Sequence, residues 1–147
     1  MRYFLLLVSL LIAQTTIAQK KEMPLIVIGA TSQRWVHDTS AVKSGVNYVI
    51  KTYINTDRGV SFENLWIAKE NVRFDMELIS VENLNLVRQG DTVILSYNRP
   101  DGSNNNNTDA KRLPIDYKGE ALIECTIHGS AAYFVVKKFK ELPASGR

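Results

Sequence analysis

Residues 72 to 78 read Val-Arg-Phe-Asp-Met-Glu-Leu, with Val72, Phe74, Met76 and Leu78 alternating against Arg73, Asp75 and Glu77. A period of two places all four apolar side chains on one face of an extended strand, whereas a helix would spread them around its circumference. This is the clearest strand signal in the chain. Within Gly45 to Asn55, Val46, Tyr48, Ile50, Thr52 and Ile54 share one face and Asn47, Lys51 and Asn55 the other. These β-branched and aromatic residues suit a pleated, half-buried surface. Apart from the first residues, no segment carries apolar side chains at helical spacing over three turns.

Turn formers punctuate the pattern. Asn55 to Gly59 precedes a strand at Val60–Ile67, a short polar turn covers Ala68 to Asn71, and Gln89-Gly90-Asp91 precedes a strand at Thr92–Tyr97. Leu25–Ile28 reads as an early strand, with a continuation through Gln33–Val36. Val81 to Val87 is ambiguous. The chain closes on a hairpin, Glu120–Ile127 and Ala131–Phe139, turning at His128-Gly129-Ser130. About eight short strands with turns between them point to an all-β fold, a single antiparallel β-sandwich of immunoglobulin or fibronectin type. A small closed barrel is the alternative.

The chain begins with basic Arg2, an apolar run from Tyr3 to Ala13, and small residues Thr16 and Ala18 at the spacing of a cleavage site. Residues 1–18 therefore read as a signal peptide. The run is shorter than the roughly 20 apolar residues that a membrane-spanning helix needs, and no Cys follows it to take a lipid. An exported protein, periplasmic or secreted, with no membrane span after processing is expected. Residues 19–147 then form one domain, long enough to bury a core without staples. Cys125 is the only cysteine, which excludes an internal disulfide and suits a small apolar filler. Arg2 leaves with the signal peptide, so 18 − 1 = 17 basic residues face 15 acids. A balance of +2, with basic residues scattered along the chain, gives no reason to expect nucleic-acid binding.

The stretch from Arg99 to Arg112 contains four consecutive asparagines. Asp101, Ser103, Asn105 and Asp109 fall at the first, third, fifth and ninth positions of a calcium loop. The sixth position, normally Gly, is Asn106, and the twelfth, normally a closing Glu, is the cation Arg112. The expectation is a flexible Asn-rich loop over 99–112, with calcium the competing reading. His37 and His128 are the only histidines. No zinc, haem, phosphate-cradle or nucleophile-elbow motif accompanies them, so no cofactor is expected, and a non-enzyme is favoured over an enzyme. Trp66, between Leu65 and Ile67, suits a core. Trp35, beside Arg34 and His37, is the better candidate for an exposed binding contact.

Three stretches carry a resemblance: Thr16-Ile17-Ala18-Gln19, Phe62-Glu63-Asn64-Leu65-Trp66-Ile67, and Gly119 to Pro143. With these the chain resembles small exported single-domain β proteins of unknown function from Gram-negative bacteria. The resemblance implies an exported β-sandwich and brings no activity or site residue with it. Export, strand periodicity and the lack of a complete catalytic set together predict a non-enzymatic binding module for a protein or glycan at the cell envelope. The alternatives are a small hydrolase whose residues converge only in space, and an envelope structural module pairing through an edge at Ala131 to Lys140.

Overall fold

A computed structural model describes residues 22–37, 44–80, 87–102 and 111–146. The segment read as a signal peptide, 1–18, lies outside the described residues, as do Val81 to Leu86. Nine strands follow in order: β1 (Leu25–Val36), β2 (Ser44–Ile54), β3 (Val60–Ile67), β4 (Glu70–Val72), β5 (Asp75–Ile79), β6 (Thr92–Pro100), β7 (Ala121–Ile127), β8 (Ser130–Val136) and β9 (Lys140–Gly146). The described residues contain no helix, and hence none long and apolar enough to cross a membrane. One sheet runs β5-β6-β2-β1-β9 and the other β4-β3-β7-β8. All pairings are antiparallel except β1 with β9. The fold is a two-sheet β-sandwich, and the sheets do not close into a barrel.

Alternation builds the core. Leu25, Ile50, Ile54, Val93 and Leu95 face inward from the five-stranded sheet, against Leu65, Ile123, Cys125 and Val136 from the other, none more than 2% exposed. Each such side chain contributes roughly 1.5–3 kcal/mol on leaving water. Thr52 is the polar member of the inward face of β2, fully buried, and its hydroxyl donates to Val93 O at 3.0 Å. Burial pushes the Cys125 thiol up to about 12, with Glu63 and Glu124 adding to the effect. It is a filler, as expected.

Two hairpins close through two-residue turns with both central residues in the left-handed region. These are Ala68 and Lys69 (φ 51° and 68°) and His128 and Gly129 (φ 51° and 78°). Such turns match the twist of the flanking strands. The strain at Ala68 and Lys69, about 1–2 kcal/mol each, is held by tertiary bonds. Ala68 N donates to Glu120 O at 3.0 Å and Lys69 N to Tyr117 Oη at 3.3 Å.

Three local expectations are corrected. The Val72–Leu78 strand is two strands, because the chain leaves one sheet at Val72 and enters the other at Asp75. Alternation reports a half-buried extended backbone without saying which sheet receives it, and Met76, on an edge strand, is 53% exposed. The final strand, expected to run from Ala131 to Phe139, stops at Val136, and the chain crosses at buried Phe139 to form β9 beside β1. Trp66 is buried, but not between the sheets. It packs with Tyr117 and Leu122 on the outer face of the four-stranded sheet, beneath Leu113.

Candidate functional site

Gln33 and Trp35 alternate with Arg34 along β1, so the two groups lie on opposite faces of the sheet. Gln33 pairs across with Asn47 of β2, and Asn47 with Asn98 of β6. Three amide side chains thus stand in a row on the outer face. Trp35 pairs with Gly45. A Cβ at Gly45 would sit 2.6 Å from Trp35 Cζ2, 2.8 Å from Cε2 and 2.5 Å from Arg99 O. The indole therefore lies down on the one position of β2 that has no side chain. Its Nε1–H donates to Asn98 Oδ1 at 2.8 Å, so the ring bridges from β1 over β2 to β6. The His37 ring stands 5.2 Å away, tilted by 56°.

Beside the indole is a cleft of about 360 Å³, lined by Trp35, His37, Gln33, Asn47, Asn98 and, from β9, Ser145. Gln33 Nε2 donates to Pro143 O at 2.9 Å, which fastens β9 to this end of β1. The lining offers one aromatic face, three amides, a hydroxyl, an imidazole and the apolar Val36, and no carboxylate. A nucleophile, an acid and a base do not meet in it among the described residues; Asp38 lies outside them.

Of the sequence-derived candidates, Trp35 and His37 share the cleft, and Arg34 does not. Arg34 Nη2 pairs at 2.6 Å with Asp101 Oδ2, which also accepts from Ser44 Oγ at 2.6 Å. Both charged side chains keep about half their exposure, 57% and 44%, so the pair adds no more than about 1 kcal/mol. Its effect is positional. With Asp101 N donating to Ser44 O at 2.9 Å, it ties the start of the Asn-rich stretch to β1 and β2. The first two residues of that stretch, Arg99 and Pro100, belong to β6. The other calcium candidates, Ser103, Asn105 and Asp109, lie outside the described residues. Among the described residues no three metal-binding side chains cluster.

Sequence reasoning missed Gly45, Asn47, Asn98 and Ser145. Asn47 was legible as an outward residue of β2, but the others carry no local signal. Asn98 is 63 residues from Trp35, and the two meet only because β6 and β1 both flank β2.

A second polar row crosses the outer face of the other sheet. Asn71 Nδ2 donates to Asn64 Oδ1 at 3.5 Å, Asn64 Nδ2 donates to Glu124, and Tyr133 Oη donates to the same carboxylate at 3.4 Å. Partial desolvation, then the Glu124 charge, push the Tyr133 phenol upward. This row joins all four strands and reaches a groove only at Tyr133.

No protein-family model, curated protein or solved structure matches this chain.

Proposed function

We propose that the chain is an exported, non-enzymatic binding module that holds a neutral glycan in the Trp35 cleft. The observation that carries this reading is the placement of the indole. It sits over Gly45 and is tethered by its N–H to Asn98, with the cleft opening beside it. A ring so oriented loses little freedom on binding and presents apolar surface to the C–H face of a pyranose. Gln33, Asn47 and Asn98 each carry a donor and an acceptor, matching the hydroxyls of a sugar. The nearby Arg34 and Asp101 neutralise each other on the opposite face, and uncharged lining favours an uncharged ligand. At about 360 Å³ the cleft lies at the small end of the roughly 300–1,000 Å³ range of ligand pockets, room for one or two sugar rings.

The test is a titration with neutral oligosaccharides, followed by the backbone amide resonances of Gln33, Asn47 and Asn98. A saturable shift that disappears in Trp35→Ala, with the fold retained, is the expected result. No saturable shift, or binding that survives Trp35→Ala, overturns the reading. Export is tested separately: the processed chain recovered outside the cytoplasm begins at Gln19.

A calcium site built on Asp101 would have to displace Arg34 and Ser44 from its carboxylate. The thermal midpoint is therefore expected to be the same in calcium and in chelator, because only a ligand bound to the folded state raises it.

A further inference from the structure

β6 ends at Pro100, and the chain leaves it through exposed Asp101 and Gly102. Asp101 is the only aspartate in the sequence that a glycine follows, and no asparagine precedes a glycine. The side-chain carboxyl carbon of an aspartate can reach the backbone nitrogen of the next residue and close a five-membered ring. A side chain on that next residue crowds the nitrogen, and glycine has none.

The nucleophile is open. Gly102 N has no hydrogen-bond partner among the described residues, and a Cβ added at Gly102 would meet nothing within 4 Å. The electrophile is held. Asp101 Oδ2 accepts from Arg34 Nη2 and from Ser44 Oγ, each at 2.6 Å, and Asp101 N donates to Ser44 O at 2.9 Å. Ring closure turns the carboxylate into an uncharged imide carbonyl and so gives up the ion pair with Arg34. A contact stronger in the starting state than in the transition state slows a reaction. Arg34 and Ser44 therefore act as a clasp that holds this one back.

We propose that the Asp101–Gly102 peptide is a site of spontaneous covalent modification, passing through a succinimide to isoaspartate, and that the Arg34–Ser44 clasp sets its rate. In the first step Gly102 N bonds to Asp101 Cγ, and the carboxyl hydroxyl leaves as water with the amide proton. In the second, water adds to the main-chain carbonyl carbon of Asp101 and breaks its bond to Gly102 N, which takes back a proton. One water is lost and one regained, so composition and mass are unchanged. The product carries an extra methylene in its main chain, and its carboxylate is attached directly to Cα. The grip of Arg34 and Ser44 is then lost where the chain leaves the sheet, next to Gly45 and the Trp35 indole that lies on it.

The test incubates the purified protein for weeks at neutral pH beside a free peptide of residues 97–104. Isoaspartate at position 101 is read by backbone fragmentation of the proteolytic segment that contains it. Its unchanged mass separates it from asparagine deamidation nearby. The protein is expected to convert measurably, but about tenfold or more slower than the peptide, because both side-chain contacts must be released. Arg34→Ala should convert about three- to fivefold faster than the parent. Ser44→Ala should gain a similar factor, and the double variant should approach the peptide. Arg34→Lys, which keeps the cation, should stay within about twofold of the parent. Dichroism confirms that each variant is folded. A double variant that stays unmodified at position 101 while the peptide converts overturns the proposal. So does a parent as fast as the peptide, or an Arg34→Ala variant no faster than the parent.

Discussion

The two tryptophans occupy the outer faces of the two sheets, and their surroundings are opposite. Trp35 lies partly buried on Gly45, with its N–H held by Asn98 and a cleft beside it. Trp66 is 1% exposed under Tyr117 and Leu113, and its Nε1 is buried without a partner among the described residues. An unmade hydrogen bond in a dry site costs about 1–3 kcal/mol, a cost that burial of a large ring outweighs. At Trp35 the polar atom is satisfied while only part of the ring remains in water. One arrangement sacrifices a bond to gain apolar burial, and the other leaves apolar surface in water to hold an orientation. The first stabilises the fold, and the second prepares a surface.

The largest test of this contrast is Trp66→Ala. It should cost about 3–5 kcal/mol in denaturant unfolding, the range for deleting a large buried ring. Trp66→Phe should cost distinctly less than its lost volume implies, because it also removes the orphaned N–H. If the two variants are equally destabilised, the buried indole nitrogen has a partner after all.

Next comes Gly45→Val, where the new side chain would meet both the indole and Arg99 O. A loss of about 2–3 kcal/mol by overpacking is expected, together with loss of any saccharide-dependent shift. Trp35 would have to leave its place.

Tyr117→Phe is smaller. It keeps the ring over Trp66 and deletes the Oη that accepts from Lys69 N, for about 1 kcal/mol. Desolvation raises the Tyr117 phenol above its usual 10.0, offset in part by the bond from Lys69. A raised folded-state pKa means that the stability linked to this phenol is complete below the unfolded-state value and is lost as pH rises through the folded-state one. The parent should therefore weaken as pH climbs above about 10, and Tyr117→Phe should weaken less over the same window, as read from thermal midpoints. Trp35→Ala should move the midpoint least of all, within roughly 1 kcal/mol for a surface side chain.

Much of the fold was legible because alternation is a local property. The inward faces of β2 and β6 were readable from Val46 to Ile54 and from the Thr92–Tyr97 run, and the His128-Gly129 turn from its residue types. The candidate site was legible only in part. Trp35 and His37 stood out as scarce aromatic and imidazole groups with polar neighbours, and they do share the cleft. Arg34, chosen for its adjacency in the chain, points the other way because successive strand residues alternate. Trp66 was read correctly as buried but assigned to the wrong layer. An apolar triplet such as Leu65-Trp66-Ile67 marks a strand buried on both faces, and nothing in it reveals that the segment from Leu113 to Tyr117 covers the outer one.

The order of residues alone determined that this chain forms strands, where several of them turn, which side chains seek the interior, and that its single thiol stays a filler. Each follows from spacing or side-chain chemistry within a few neighbours. Only the tertiary structure decided that β2 separates β1 from β6, that Gly45 lies beneath Trp35, and that Val72 and Asp75 serve different sheets. Those facts depend on which edges pair over separations of dozens of residues. Many pairings bury similar apolar area, and the whole set of strands selects one together.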